Sequence, residues 1–156
     1  MRKNQKGFSL IELLIVVAII LIIAAIAIPN LLRSKMAANE SSAVGSLRTI
    51  NTACVTYAST YGIGFPVALA NIGPAAAATA ANADLIDAVL TAGNKSGYTF
   101  LLTGAAAVGG VVPTYTATAV PNAYNQTGNR AFFTDQSGVI RQNVGAPATV
   151  ASTPIQ

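Results

Sequence analysis

Among its 156 residues the chain has no histidine and no tryptophan, and it has one cysteine, Cys54. Without histidine a Ser-His-Asp triad cannot be built, and the commonest metal ligand is gone. One thiol closes no internal disulfide, and no cysteine pair is spaced for a metal or a haem. Charge is scarce too, at 9% of residues. Three of the nine basic residues (Arg2, Lys3 and Lys6) crowd the start, which leaves six against five acids over the rest. That balance gives no basic stripe of the kind a nucleic-acid surface needs, so nucleic-acid binding by this chain is not expected. Gly104 to Gly110 is a small-residue loop without the lysine of a phosphate-binding loop. Asp84 and Asp87 fall on one short predicted helix and read as acids at its N-terminus rather than as an acid–base pair. No catalytic constellation remains; the chain reads as no enzyme, with no cofactor.

The opening residues carry far more information. Lys6-Gly7-Phe8-Ser9-Leu10-Ile11-Glu12 runs into an apolar stretch from Leu13 to Ile28, and between Phe8 and Ile28 only Ser9 and Glu12 are polar. This is the length of the roughly 20 residues that cross a bilayer as a helix. An ionised acid inside such a stretch costs about 2.5–3.5 kcal/mol near the bilayer centre and marks function. Two plainer readings compete. Ala25-Ile26-Ala27 resembles a secretory cleavage site, and the run would also serve as a simple anchor. Against a secretory signal stand the carboxylate within the run and the helical pattern that continues beyond it. The basic start should stay cytoplasmic and place everything after Pro29 outside, although Arg33 and Lys35 weaken the asymmetry.

Past Pro29-Asn30 the pattern becomes one-sided. Val44, Leu47, Ile50, Cys54, Tyr57 and Tyr61 follow at steps of three or four, while Ser42, Ser46, Thr49, Thr56 and Ser59 fall on other faces. One helix from Phe8 to Tyr61, roughly 80 Å long at 1.5 Å per residue, is the simplest reading. Its segment 8–28 belongs to lipid and its second half packs one face on a domain. Cys54 lies on that face as a buried, inert thiol. Pro29 removes one helical hydrogen bond and predicts a kink. Gly62 and Pro66 supply the stop.

Residues 62–156 form the small globular part. Pro74 to Ala81 is an alanine-rich loop. Asn82 is the expected cap of a short helix that buries Leu85, Ile86, Val89 and Leu90 and ends at Gly93. Strands are expected over 96–102, 111–120, 130–134 and 138–142, with Asp135-Gln136-Ser137-Gly138 as a hairpin turn. Pro113 and Pro121 confine the second strand to an edge or to their own side of it. Residues 143–156 read as an extended tail. The fold class is α+β, a long N-terminal helix packed on a small antiparallel sheet of three or four strands.

The sequence Gly7-Phe8-Ser-Leu-Ile-Glu12-Leu-Leu-Ile-Val-Val-Ala-Ile resembles the class III leader of type IV pilins and of their relatives, the pseudopilins of type II secretion. The likeness covers residues 1 to about 60; the remainder matches only in layout. It implies a leader peptide over 1–7, cleavage between Gly7 and Phe8, and N-methylation of Phe8 by the same prepilin peptidase/methyltransferase. It further implies that Glu12 pairs with the Phe8 amine of a neighbouring subunit, and that the helix loosens around Leu21 to Asn30, at Pro29, on packing. Phe8, Glu12 and Pro29 are then the assembly residues. The implied role is the major subunit of a type IV pilus: a homo-oligomeric helical filament, stored first in inner-membrane lipid as a single-pass protein and extracted to the cell surface by an assembly platform and ATPase motor. The alternative is the major pseudopilin of a periplasmic pseudopilus. Calcium binding in that relative points here to Asp135, a single carboxylate for a cation that takes 6–8 oxygens, so no metal site is expected. Many pilins staple the C-terminal loop with a disulfide; this chain departs from that and must hold the loop by packing. A monomeric anchored binding protein is the reading of a different class.

Overall fold

The computed structural model describes residues 8–155. Helix α1 spans Leu10–Tyr61 and carries Pro29 within it. Two one-turn helices follow, α2 over Leu69–Ile72 and α3 over Ala88–Thr91. Six strands follow among the described residues: β1 Asn94–Lys95, β2 Tyr98–Gly104, β3 Tyr115–Pro121, β4 Arg130–Asp135, β5 Arg141–Val144 and β6 Thr153–Pro154. They form one meander in the order β1-β2-β3-β4-β5-β6, every neighbour antiparallel. The chain divides between Lys35 and Met36 into two compact units, the second running to the end of the sheet.

The first unit is the apolar half of α1, and nearly all its side chains are exposed. Among its described residues none is buried. The second unit is built around the remainder of α1. Leu47, Ile50, Cys54 and Tyr57 are buried, with Val44 and Tyr61 partly so, as the stripe predicts. Ser46, expected on another face, is also buried. Strand alternation supplies the opposing wall. Tyr98, Phe100 and Leu102 of β2 point inward, as do Tyr115, Ala117 and Ala119 of β3, and all belong to the same core cluster. The small Ala117 and Ala119 leave room for the large Tyr98, Tyr115 and Phe132 rings beside them. Asn51 ties helix to sheet, donating to Thr134 Oγ1 at 3.0 Å and accepting from the Tyr115 hydroxyl at 3.1 Å.

Several sequence expectations need correction. Asn82 caps no helix: the amides of Ala83, Asp84, Leu85 and Ile86 are drawn onto the carbonyls of Asn71, Gly73 and Ile72, which holds the segment out of helix. Helix formation waits for Asp87, whose carboxylate accepts from the Leu90 amide at 2.7 Å, so Val89 lies exposed and only Leu90 of α3 is buried. The second strand is interior, between β2 and β4. Pro113 falls outside it, and Pro121 ends it beyond the last β4 pair, Ala119↔Phe132, so neither removes a donor from that ladder. The expected extended tail over the surface is in part strand. Asn143 and Val144 finish β5, Thr153 pairs with Gln142 in β6, and Ala148 is buried over Ala131 and Phe133 on the sheet's outer face. This packing, with no disulfide, holds the C-terminal loop. The first two residues of the first expected strand, Ser96 (φ 51) and Gly97 (φ 73), are instead the left-handed turn between β1 and β2, in the manner of a type I′ hairpin.

Candidate functional site at the start of the long helix

Gly7 and the basic residues Arg2, Lys3 and Lys6 lie outside the described residues. Phe8 is described and largely exposed, as are the apolar residues that follow it. Its nitrogen is an amide here, because Gly7 precedes it in the chain.

Glu12 stands in the first turn of α1. Its Oε2 accepts the Ser9 backbone N–H at 2.8 Å, and the Ser9 carbonyl accepts the Leu13 amide at 3.2 Å. Ser9 therefore occupies the cap position, and Glu12, three residues on, reaches back to it. That contact is half of a capping box. It satisfies one amide that the helix leaves orphaned, and it sets negative charge at the positive end of the helix dipole. The signal was legible as Ser-x-x-Glu immediately before an apolar run, and sequence reasoning passed over it in favour of the charge alone. Among the described residues Glu12 has no cationic partner. The single chain thus places Phe8 and Glu12 one helical turn apart without joining them.

Pro29 sits inside helix that is continuous from Leu10 to Tyr61. It has no N–H to give the carbonyl of Ala25. One residue later Asn30 donates its Nδ2 to the Ile26 carbonyl at 3.1 Å, a different acceptor, so the Ala25 carbonyl is not served by it. The backbone across 21–30 is helical in this state. The whole helix is long and apolar enough to cross a membrane, and none of its most apolar window is buried. An exposed apolar surface of this extent marks a membrane or protein interaction site.

Several other polar groups in the globular part have local roles. Asp135 Oδ1 accepts the Ser137 amide at 2.9 Å, and the Asp135 carbonyl accepts from Gly138, closing the expected turn. Among the described residues no group of three His, Cys, Asp or Glu could hold a metal ion. The Leu90 amide that Asp87 caps holds its carboxyl below the usual range, helped by Lys95 Nζ at 3.3 Å. Cys54 is buried, and burial pushes its thiol up to about 12. It is inert at neutral pH.

Sequence reasoning missed Glu40. It is 7% exposed, and its Oε1 accepts the amides of Asn129 at 2.8 Å and Arg130 at 3.1 Å. Its Oε2 accepts Arg130 Nε at 2.8 Å, while Arg130 Nη1 donates to Gln142 Oε1 and the guanidinium rests over Phe132. One carboxylate so clamps α1 to the start of β4. The partners are about ninety residues apart in sequence, and no local pattern announces the pairing.

Comparison with known proteins bears on the helix. Residues 2–28 match the family model described as the prokaryotic N-terminal methylation motif. The chain is 62% identical over 39 residues to the type IV wide pilus major component of Thermus thermophilus. It is 50% identical over 50 residues to the type IV major pilin protein of Myxococcus xanthus, and 50% identical over 58 residues to the type IV major fimbrial protein of Dichelobacter nodosus. These stretches take up 25%, 32% and 35% of this chain and 30%, 23% and 37% of the three relatives, so the likeness spans about a third or less of each. No solved structure matches the chain.

Proposed function

We propose that this chain, which belongs to the type IV pilin family, is the major structural subunit of a type IV pilus and performs no catalysis. The observation that carries the proposal is the exposed apolar half of α1 with a single carboxylate, Glu12, at its start. Before assembly the segment 8–28 lies in inner-membrane lipid with the head outside. A prepilin peptidase/methyltransferase cuts between Gly7 and Phe8 and methylates the new amine, which keeps its positive charge. In the filament the apolar helices of many copies replace lipid around one another, so this surface meets water at no stage. Extraction from the bilayer requires work, supplied by an assembly platform and an ATPase motor. Glu12 exchanges the Ser9 amide for the Phe8 amine of a neighbour. A buried ion pair of this kind adds little stability but fixes register, here the axial step between copies. Pro29 weakens the helix where packing demands that it loosen.

The test is complementation of a strain lacking the gene with Glu12→Ala and Glu12→Gln. Both chains should accumulate in the inner membrane and yield no surface filaments by electron microscopy. Normal piliation with Glu12→Ala would contradict the proposal and favour a monomeric anchored protein.

A further inference from the structure

The uncharged run on α1 extends past the segment 8–28 at its far end. From Leu13 to Leu32 no side chain is ionisable, and the single polar one, Asn30, gives its Nδ2 to the Ile26 carbonyl at 3.1 Å. Residues 13–32 make about 30 Å of helix at 1.5 Å per residue, which is the thickness of a bilayer's hydrocarbon core. Leu31 and Leu32 are 68% and 53% exposed. A hydrocarbon span over 8–28 would draw Glu12 into the core and leave these two leucines outside it. A span over 13–32 avoids both.

Arg33 and Lys35 close the run. Both are exposed, both fall at the end of the first compact unit, and neither makes an ion pair among the described residues. No acid lies between Glu12 and Glu40 in sequence, and Glu40 is taken by Arg130. With 13–32 in hydrocarbon, the two cations start about 1.5 and 4.5 Å beyond it. That is inside a headgroup layer about 5–7 Å deep. At about 100° per residue they stand roughly 200° apart around the helix, so each faces a different lipid. The guanidinium fork fits two oxygens of one phosphate, and the ammonium is a point charge for another. At the opposite edge Glu12 directly precedes the run, with its Oε2 on the Ser9 amide.

We propose that Arg33 and Lys35 bind phospholipid phosphates of the outer leaflet from two sides of α1 and so fix the stored span at 13–32. This rests on the reading above that the chain is held in the inner membrane with its globular part outside. The ligand is lipid phosphate rather than free phosphate, because the apolar run directly below the two cations offers contacts to the acyl chains of the same molecules. At this depth Glu12 lies among the inner headgroups, where its carboxylate stays hydrated, and Phe8 lies on their cytoplasmic side. Departure from the bilayer breaks both phosphate contacts, so each copy gives up bound lipid as it is extracted.

Two measurements on the full chain test this. The first is native mass spectrometry in a maltoside detergent with added phosphatidylglycerol, or with a digalactosyl lipid of the same acyl chains. Arg2, Lys3 and Lys6 also attract anionic lipid, so all chains compared carry Arg2→Gln, Lys3→Gln and Lys6→Gln. Phosphatidylglycerol should be held at several-fold higher occupancy than the galactolipid. Arg33→Met with Lys35→Met should remove that excess while helix content by circular dichroism is unchanged. An excess that survives in the double variant, no preference for the phospholipid, or displacement of the phospholipid by inorganic phosphate would each overturn the proposal. Should the double variant fail to fold, each single variant should lose about half of the excess, and no loss from either would overturn it. The second measurement places a nitroxide at Leu13→Cys or Leu32→Cys in vesicles of phosphatidylethanolamine and phosphatidylglycerol; Cys54 is 0% exposed and stays unlabelled. Collisions with oxygen and a nickel chelate should report the same shallow depth for both labels. A deep label at position 13 with a label at 32 in water would overturn the span. None of these failures touches the filament reading, whereas a parent chain recovered from cells outside the membrane fraction would overturn both the proposal and membrane storage.

Discussion

Replacing Glu40 with alanine tests whether one carboxylate clamps α1 to the sheet. Three donors lose their acceptor: the Asn129 and Arg130 amides and Arg130 Nε. Hydrogen bonds to a charged group contribute about 1.5–3 kcal/mol each when considered singly. Breaking a fully buried ion pair costs roughly 3–5 kcal/mol. The Arg130 side chain is 41% exposed and keeps Gln142, so it recovers water once Glu40 is gone, and the upper figure does not apply. The expected loss is about 2–4 kcal/mol. For a head of this size that is a fall in melting temperature of roughly 8–15 °C. All five tyrosines lie at Tyr57 or beyond, so near-ultraviolet circular dichroism of the full chain in detergent follows the head alone. Glu40→Gln keeps an acceptor for the two amides and should cost about half as much. Arg130→Ala leaves the buried carboxylate without its cation and should cost at least as much as Glu40→Ala. A melting temperature for Glu40→Ala within about 2 °C of the parent would refute the clamp.

Three further outcomes are expected. Glu12→Gln keeps a side-chain acceptor for the Ser9 amide but carries no charge, so helix content in detergent should be unchanged while filaments are lost; filaments at parental yield would mean that the cap, and not the charge, is what assembly needs. Gly64→Ala should destabilise the head by about 2 kcal/mol or more, because Gly64 has φ +80 and an added Cβ would run into the Val112 backbone; an unchanged melt would contradict this. The Cys54 thiol is raised from 9.0 to about 12 in the folded head. The folded state thus favours the protonated thiol, so the associated stability is complete below pH 9 and lost as pH rises from 9 towards 12. Burial raises Tyr98 and Tyr115 as well, which adds to the alkaline loss. Cys54→Ala should flatten part of that decline in urea melts taken between pH 8 and pH 11, and an identical decline would show that Cys54 contributes none of it.

The sequence revealed what is local and periodic. The apolar run, the stripe from Val44 to Tyr61 and the Asp135–Gly138 turn are each written in a few adjacent residues, and each is found in the structure. It failed where distant backbone decided the outcome. Asn82 has the right chemistry for a cap, yet the carbonyls of Asn71 to Gly73 claim the neighbouring amides and delay the helix to Asp87. Pro121 looked like an edge marker because its place at the very end of β3 depends on pairing with chain far removed. The two residues of β6 carry no strand pattern of their own and are ordered by Arg141 and Gln142. At the candidate site Glu12 was visible as a charge in the wrong place, but its hydrogen bond to Ser9 was read only from the geometry. Glu40 gave no signal, since its partners are brought to it by the fold.

The central claim is that the chain is cut before Phe8 and built into surface filaments. Intact mass and N-terminal sequencing of protein sheared from the surface of the native host test it most directly. The account predicts a chain that begins with N-methylated Phe8, recovered from the sheared filaments. A chain that still begins at Met1 and stays in the cell envelope would contradict it, and a processed chain confined to the envelope would assign it to a periplasmic pseudopilus instead.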